Sequence, residues 1–163
     1  MIVMGIDPGL ATVGYGVIDS RGMEMQLVDY GTICTPAGMK LPERLDILYD
    51  SMLTLIDRFS PEEIAFEELF FSRNVTTGIN VAQARGVLLA AAYKKLRRLF
   101  EYTPMQVKQA VVGYGHADKH QVQAMVKAIL RLKAVPQPDD AADAVAIAIC
   151  HAQTKDYTRE FRI

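Results

Sequence analysis

Five apolar residues, Ile2-Val3-Met4-Gly5-Ile6, run directly into Asp7-Pro8-Gly9. A stretch so short and so uniformly apolar suits a strand buried on both faces, which requires covering layers above and below it. Pro8 cannot donate a backbone hydrogen bond and Gly9 permits a turn, so the strand stops there. Asp7 is left as a carboxylate at the end of a buried strand. Two further strands are expected over residues 14–19 and 25–33, separated by a turn at Ser20-Arg21-Gly22. Connections this short imply an antiparallel meander.

The hydrophobic period then changes. Leu41, Leu45, Leu48, Met52, Leu55 and Phe59 recur at threes and fours, which predicts an amphipathic helix over 42–59, with Pro42 in its first turn and Ser60-Pro61 ending it. Ile64-Ala65-Phe66-Glu67 reads as a second buried strand. A long helix is expected over 74–98, then a brief strand at 100–102 and a helix over 104–112. Residues 113–119 read as a polar, glycine-punctuated loop. Val122, Met125, Val126 and Ile129 mark another helix, and a nearly all-apolar one runs from Asp140 to about Gln153. The expected class is α/β: a mixed sheet, three antiparallel strands then parallel ones, with helices on both faces. Residues 1–153 form one domain in this reading, and 154–163 a short tail.

Acids occupy places where acids are costly. Asp7 ends the first buried strand, Glu67 ends the second, and Asp140 with Asp143 opens the apolar last helix, one turn apart on one face. If the two strands are neighbours, a last helix packed at their ends brings all four together. Four ionised carboxylates in one pocket repel one another, and a hard divalent cation removes the conflict. Carboxylate oxygens, retained waters and a phosphate are what Mg²⁺ prefers, and two such ions support phosphodiester cleavage. Taken singly, each feature has a plainer reading: a turn at Asp7, a solvated strand end at Glu67, a capping pair at Asp140 and Asp143.

With 18 Lys+Arg against 19 Asp+Glu the formal charge is −1, which by itself argues neither for nor against a polyanionic partner. Setting four acids aside as metal ligands leaves 15 against 18 bases. Cys34 and Cys150 are expected to be buried free thiols. Together with the lack of a membrane-length apolar run, they point to a cytoplasmic protein.

A series of segments resembles the RuvC-type Holliday junction resolvases. It comprises Gly5-Ile6-Asp7-Pro8-Gly9 with Gly14-Tyr15-Gly16, Glu67-Glu68-Leu69-Phe70, Gln83-Ala84-Arg85-Gly86-Val87 and Gln106-Val107-Lys108-Gln109-Ala110-Val111-Val112-Gly113. Lys119 with Gln121-Val122 and Asp140-Ala141-Ala142-Asp143-Ala144 complete it, in family order from residue 1 to about 152. The resemblance implies a ribonuclease H-like fold and a homodimeric, Mg²⁺-dependent endonuclease, with Mn²⁺ as a possible substitute, that makes paired nicks in four-way DNA junctions. By position, Asp7, Glu67, Asp140 and Asp143 correspond to its catalytic, metal-binding acids, with Asp139 an additional neighbour that is either solvated or a helix cap. Phe70 corresponds to a ring that stacks on unpaired bases at the junction centre, a contact worth about 1–3 kcal/mol. Lys108 and Lys119 correspond to lysines near the scissile phosphate, while Arg73, Arg85 and the 113–119 loop are further candidates for DNA contact. Lys94, Lys95, Arg97 and Arg98 are assigned to the end of the long helix and its dipole. That helix matches the family's dimer interface, and branch-migration motor proteins are implied as partners. The alternatives are a ribonuclease H-like nuclease acting on RNA or RNA–DNA hybrid, and a junction-binding scaffold without catalysis. A two-lobed sugar-kinase-like phosphotransferase shares the opening motif, but 163 residues are too few for both lobes.

Overall fold

The first strand lies at the centre of the sheet. In the computed structural model, which describes residues 1–22, 24–69, 75–154 and 161–163 (side chains of 75–77 excepted), β1 (Ile2–Asp7), β2 (Thr12–Arg21) and β3 (Glu24–Cys34) form the antiparallel meander. On the other side of β1, β4 (Glu63–Glu67) and β5 (Leu99–Tyr102) continue the sheet in parallel, in the order β3-β2-β1-β4-β5. This is the mixed sheet expected from the hydrophobic pattern.

Alternation along the strands sorts side chains to two faces. Met4, Ile6, Ile64, Phe66 and Leu99 meet α1 (Leu41–Phe59) and α2 (Val75–Lys95), through Leu48, Met52, Ala84 and Leu88. Val3, Ala65, Phe100 and Tyr102 face the other way, toward α3 (Pro104–Val112), α4 (Lys119–Ile129) and α5 (Asp139–Thr154). Each aliphatic side chain so buried contributes roughly 1.5–3 kcal/mol.

Three glycines seat α5 against the sheet. A Cβ on Gly5 would overlap the Ala144 carbonyl, one on Gly14 the Asp140 carbonyl, and one on Gly16 the backbone of Val145. The helix therefore lies on bare backbone, closer than any side chain allows. That contact fixes the height of its first turns, where Asp140 and Asp143 sit.

Several expectations need correction. Helix α2 ends at Lys95, so Arg97 and Arg98 lie beyond it, and Arg98 pairs with the buried Glu63 instead of serving the helix end. Helix α4 already begins at Lys119, capped by Asp118, whose side chain accepts from Gln121 N at 2.9 Å. Helix α5 starts at Asp139, so Asp140 is inside its first turn and not its cap. Cys34 is exposed, because it ends β3 at the sheet edge, whereas Cys150 is buried as expected. Residues 161–163 of the tail return to the sheet: Glu101 N donates to Phe161 O and Ile163 N to Leu99 O.

A buried polar chain, not anticipated from the sequence, ties α5 to the strands. Tyr102 Oη lies 2.8 Å from His151 Nδ1, and His151 Nε2 lies 2.6 Å from Glu63 Oε2. Burial lowers the His151 pKa, with Glu63 opposing, so the ring is neutral. Its Nε2–H donates to Glu63 and its Nδ1 accepts from Tyr102. His151→Ala leaves Tyr102 Oη and one Glu63 oxygen without this partner, the other oxygen staying with Arg98, and is expected to destabilise the fold by about 2–3 kcal/mol. A chemical-denaturation midpoint within error of wild type would contradict this arrangement.

Candidate active site

Strand register brings the first two acids together. Val3 pairs with Glu63, Gly5 with Ala65 and Ile6 with Phe66 in parallel, so one step further Asp7 and Glu67 end adjacent strands. Both alternate onto the α5 face, where the first two turns of α5 supply Asp140 and Asp143. Burial pushes the Asp7 carboxyl up to about 8, reinforced by the charges of Glu67, Asp143 and Asp140. Burial also raises Glu67, to about 7, with Asp143 adding to the shift and Lys108 and Lys119 opposing it. Asp143 is raised by burial against the hydrogen bond from Lys119.

Glu67, Asp143, Lys108 and Lys119 line one cleft of about 220 Å³, floored by Val107, Val122 and Ala146. Asp140 is presented to a second cleft of about 430 Å³, with Gly9, Thr12, Arg44 and Asn80. Lys119 Nζ is 3.1 Å from both Asp143 Oδ2 and Asp139 Oδ2. Asp139 also accepts from Gln123 Nε2 at 2.9 Å, and these partners, Lys119 first, hold its carboxyl below the ordinary range. Asp139, the more exposed of the two, thus shares Lys119 with Asp143.

The donor set fits a hard divalent cation. It is all carboxylate oxygen, and the charges of Glu67, Asp143 and Asp140 raise the proton affinity of Asp7, a repulsion that a cation offsets. Among the described residues, no three His, Cys, Asp or Glu side chains are grouped closely enough to enclose an ion by themselves. Mg²⁺ commonly takes one or two carboxylates and completes its shell with water and substrate phosphate, so an open carboxylate edge beside two lysines suits it.

Not every candidate joins this cluster. Phe70 and Arg73 lie outside the described residues. Arg85, expected to contact DNA, is directed inward: its guanidinium pairs with Glu101, and its Nε donates to the Glu67 carbonyl at 3.4 Å. The glycine seat and this tie were missed as functional features. Gly14-Tyr15-Gly16 was visible, but which helix it received was not.

Lys119→Met removes the cation that lowers both Glu67 and Asp143. The pH profile of stabilisation by Mg²⁺, read from melting curves, is expected to move to higher pH. An unshifted profile would detach Lys119 from these acids.

Comparison with known proteins follows the same pattern. A family described as "Crossover junction endodeoxyribonuclease RuvC" matches residues 3–151. The crossover junction endodeoxyribonuclease RuvC of Alkaliphilus oremlandii is 52% identical over 163 residues, covering 100% of this chain and 99% of that protein. The Thermus thermophilus RuvC structure superposes with a TM-score of 0.88 at 38% identity, covering 96% of each chain. A structure of T. thermophilus RuvC in complex with Holliday junction substrate gives 0.87 at 36% identity, again covering 96% of each.

Proposed function

The chain belongs to the RuvC family of crossover junction endodeoxyribonucleases, and from that premise we propose that it cuts four-way DNA junctions during recombination and repair. The observation that carries this reading is the pair of half-buried carboxylates, Asp7 and Glu67, at the ends of adjacent strands beside a cleft holding Lys108 and Lys119.

Asp7, Glu67, Asp140 and Asp143 would hold Mg²⁺ ions, two per site, with Mn²⁺ as a substitute. When bound, such ions supply Lewis-acid stabilisation of a phosphodiester undergoing hydrolysis. The remaining steps belong to the chain. Lys108 and Lys119 draw the phosphate backbone into the cleft and offset charge developing on it. Burial and mutual repulsion raise the proton affinity of Asp7 and Glu67, and protons compete with a metal for these oxygens, so cleavage at limiting Mg²⁺ rises with pH and the rise moves to lower pH as Mg²⁺ increases. Hydrolysis that leaves a 5′ phosphate and a 3′ hydroxyl gives ligatable nicks. Phe70 and Arg73 complete the reading as contacts to the opened junction.

Two copies related by a two-fold axis, paired through α2, present two sites to a junction of matching symmetry, one for each strand. Residues 1–153 act as the nuclease domain in a cytoplasmic protein, with branch-migration motors as further partners. No described helix is long and apolar enough to cross a membrane.

The test is cleavage of a mobile synthetic four-way junction with Mg²⁺ and with EDTA, beside linear duplex and RNA–DNA hybrid. Symmetric, ligatable, Mg²⁺-dependent nicks confined to the junction are expected. Binding without cleavage would leave a scaffold, and cleavage of hybrid alone would overturn the substrate.

A further inference from the structure

Glu67 is held from both faces of the sheet. Its side chain points to the α5 face, toward the cleft with Asp143 and Lys108. Its backbone carbonyl accepts from Arg85 Nε at 3.4 Å, and Arg85 belongs to α2 on the opposite face. The same guanidinium pairs with Glu101 of β5. Glu101 stands opposite Phe66 in the β4–β5 register, one residue before Glu67. Alternation explains its availability: Phe100 and Tyr102 are buried with α5, so Glu101 turns to the α2 side.

Arg85 is only 16% exposed and Glu101 31%. A guanidinium so enclosed, with one edge on a carboxylate and its Nε on a carbonyl, has little freedom to meet a phosphate. Its planar fork suits the two acceptors in a way a lysine cannot reproduce.

We propose that Arg85 is a positioning residue, which with Glu101 fixes the end of β4 and thereby the placement of the Glu67 carboxylate, and that it is not a DNA contact. This rests on the reading of Glu67 as a metal-holding acid. Partners that orient a ligand in this way typically change metal affinity or activity by about 10–100-fold when removed.

The experiment uses the full chain as wild type, Arg85→Met and Glu101→Gln. Three quantities are read: the Mg²⁺ concentration giving half-maximal junction cleavage, the Mg²⁺ concentration giving half of the melting-temperature shift, and junction affinity in EDTA across a salt series. Both variants are expected to move both Mg²⁺ midpoints upward by about tenfold. Junction affinity and its salt slope stay at wild-type values. Glu101→Gln preserves shape and carries the test if Arg85→Met fails to fold.

Weaker junction binding, with a salt slope reduced by about one phosphate contact in Arg85→Met, would overturn the proposal in favour of a backbone contact. A lower melting temperature with unmoved Mg²⁺ midpoints would overturn it in favour of a purely structural tie. Wild-type protein showing neither Mg²⁺-dependent cleavage nor a Mg²⁺ melting shift would instead overturn the reading of the acids, and this proposal with it.

Discussion

Asp7→Asn is expected to lower junction cleavage by at least about 10²–10³-fold, the scale on which losing one charge-stabilising group acts, while junction binding in EDTA is preserved. Asp7 is the acid on which the others converge: Glu67, Asp143 and Asp140 all raise it, after burial itself. Asparagine keeps the shape and removes the charge a cation requires. Lys108 and Lys119, which the proposed reading places on the phosphate, are untouched by the substitution, so the two activities are expected to separate.

The same substitution has an opposite effect on the metal-free fold. In the folded chain Asp7 titrates at about 8, against an ordinary value of 3.8. A raised pKa means that the folded state holds a proton which the unfolded chain has lost. Stability from this group is therefore complete below about pH 4 and drains away as pH rises toward 8. Glu67, at about 7, adds to the same decline. In EDTA at pH 8, Asp7→Asn is expected to melt at a higher temperature than wild type. In Mg²⁺ the order narrows or reverses, because only the wild type gains fully from the cation. Melting curves at pH 5 and 8, with and without Mg²⁺, check the sign. Wild type more stable than Asp7→Asn in EDTA at pH 8 would contradict it.

Gly14→Ala is the second substitution with a large expected effect. A methyl group there would occupy the space of the Asp140 carbonyl, so backbone must move. Overpacking of this kind costs about 1–3 kcal/mol. The displaced element is the start of α5, which carries Asp140 and Asp143 away from Asp7. A shift of about 1 Å in a reacting array costs on the order of 10²-fold in rate. Cleavage is thus expected to fall further than the lost stability explains. Gly38→Ala, where a Cβ meets nothing within 4 Å, is the control and should behave as wild type. Equal cleavage by Gly14→Ala and wild type would show that α5 is not seated as described.

The strands and most helices were legible because their signals are local. Alternation, the shift to threes and fours, and Pro or Gly at the ends placed β1, α1, β4 and α3 within a residue or two. The ends of α2 and α4 were less legible, because Lys94 through Arg98 reads as one basic end and Asp118 as one more loop polar residue. The capping hydrogen bond that starts α4 depends on backbone geometry at Asp118. For the acids, position at strand ends was visible, but adjacency depended on β1 pairing with β4, which skips over two strands in the chain. The partners of Arg85 were hidden for a related reason. An arginine among small residues of a helical run gives no sign of its partner, because Glu101 lies 16 residues later on another element. The buried His151–Glu63 pair spans 88 residues and left no spacing to read. Asp139 next to Asp140 illustrates the limit well. The two are chemically identical, and only the fold shows that Asp139 meets Lys119 and Gln123 while Asp140 lines the second cleft.

Anomalous diffraction from crystals equilibrated with Mn²⁺ tests the central claim most directly. The account predicts anomalous density in contact with the Asp7 carboxylate, with Glu67, Asp140 or Asp143 also in contact, and its loss in Asp7→Asn. Density confined to the histidines or to Asp139, with none at Asp7, would contradict it.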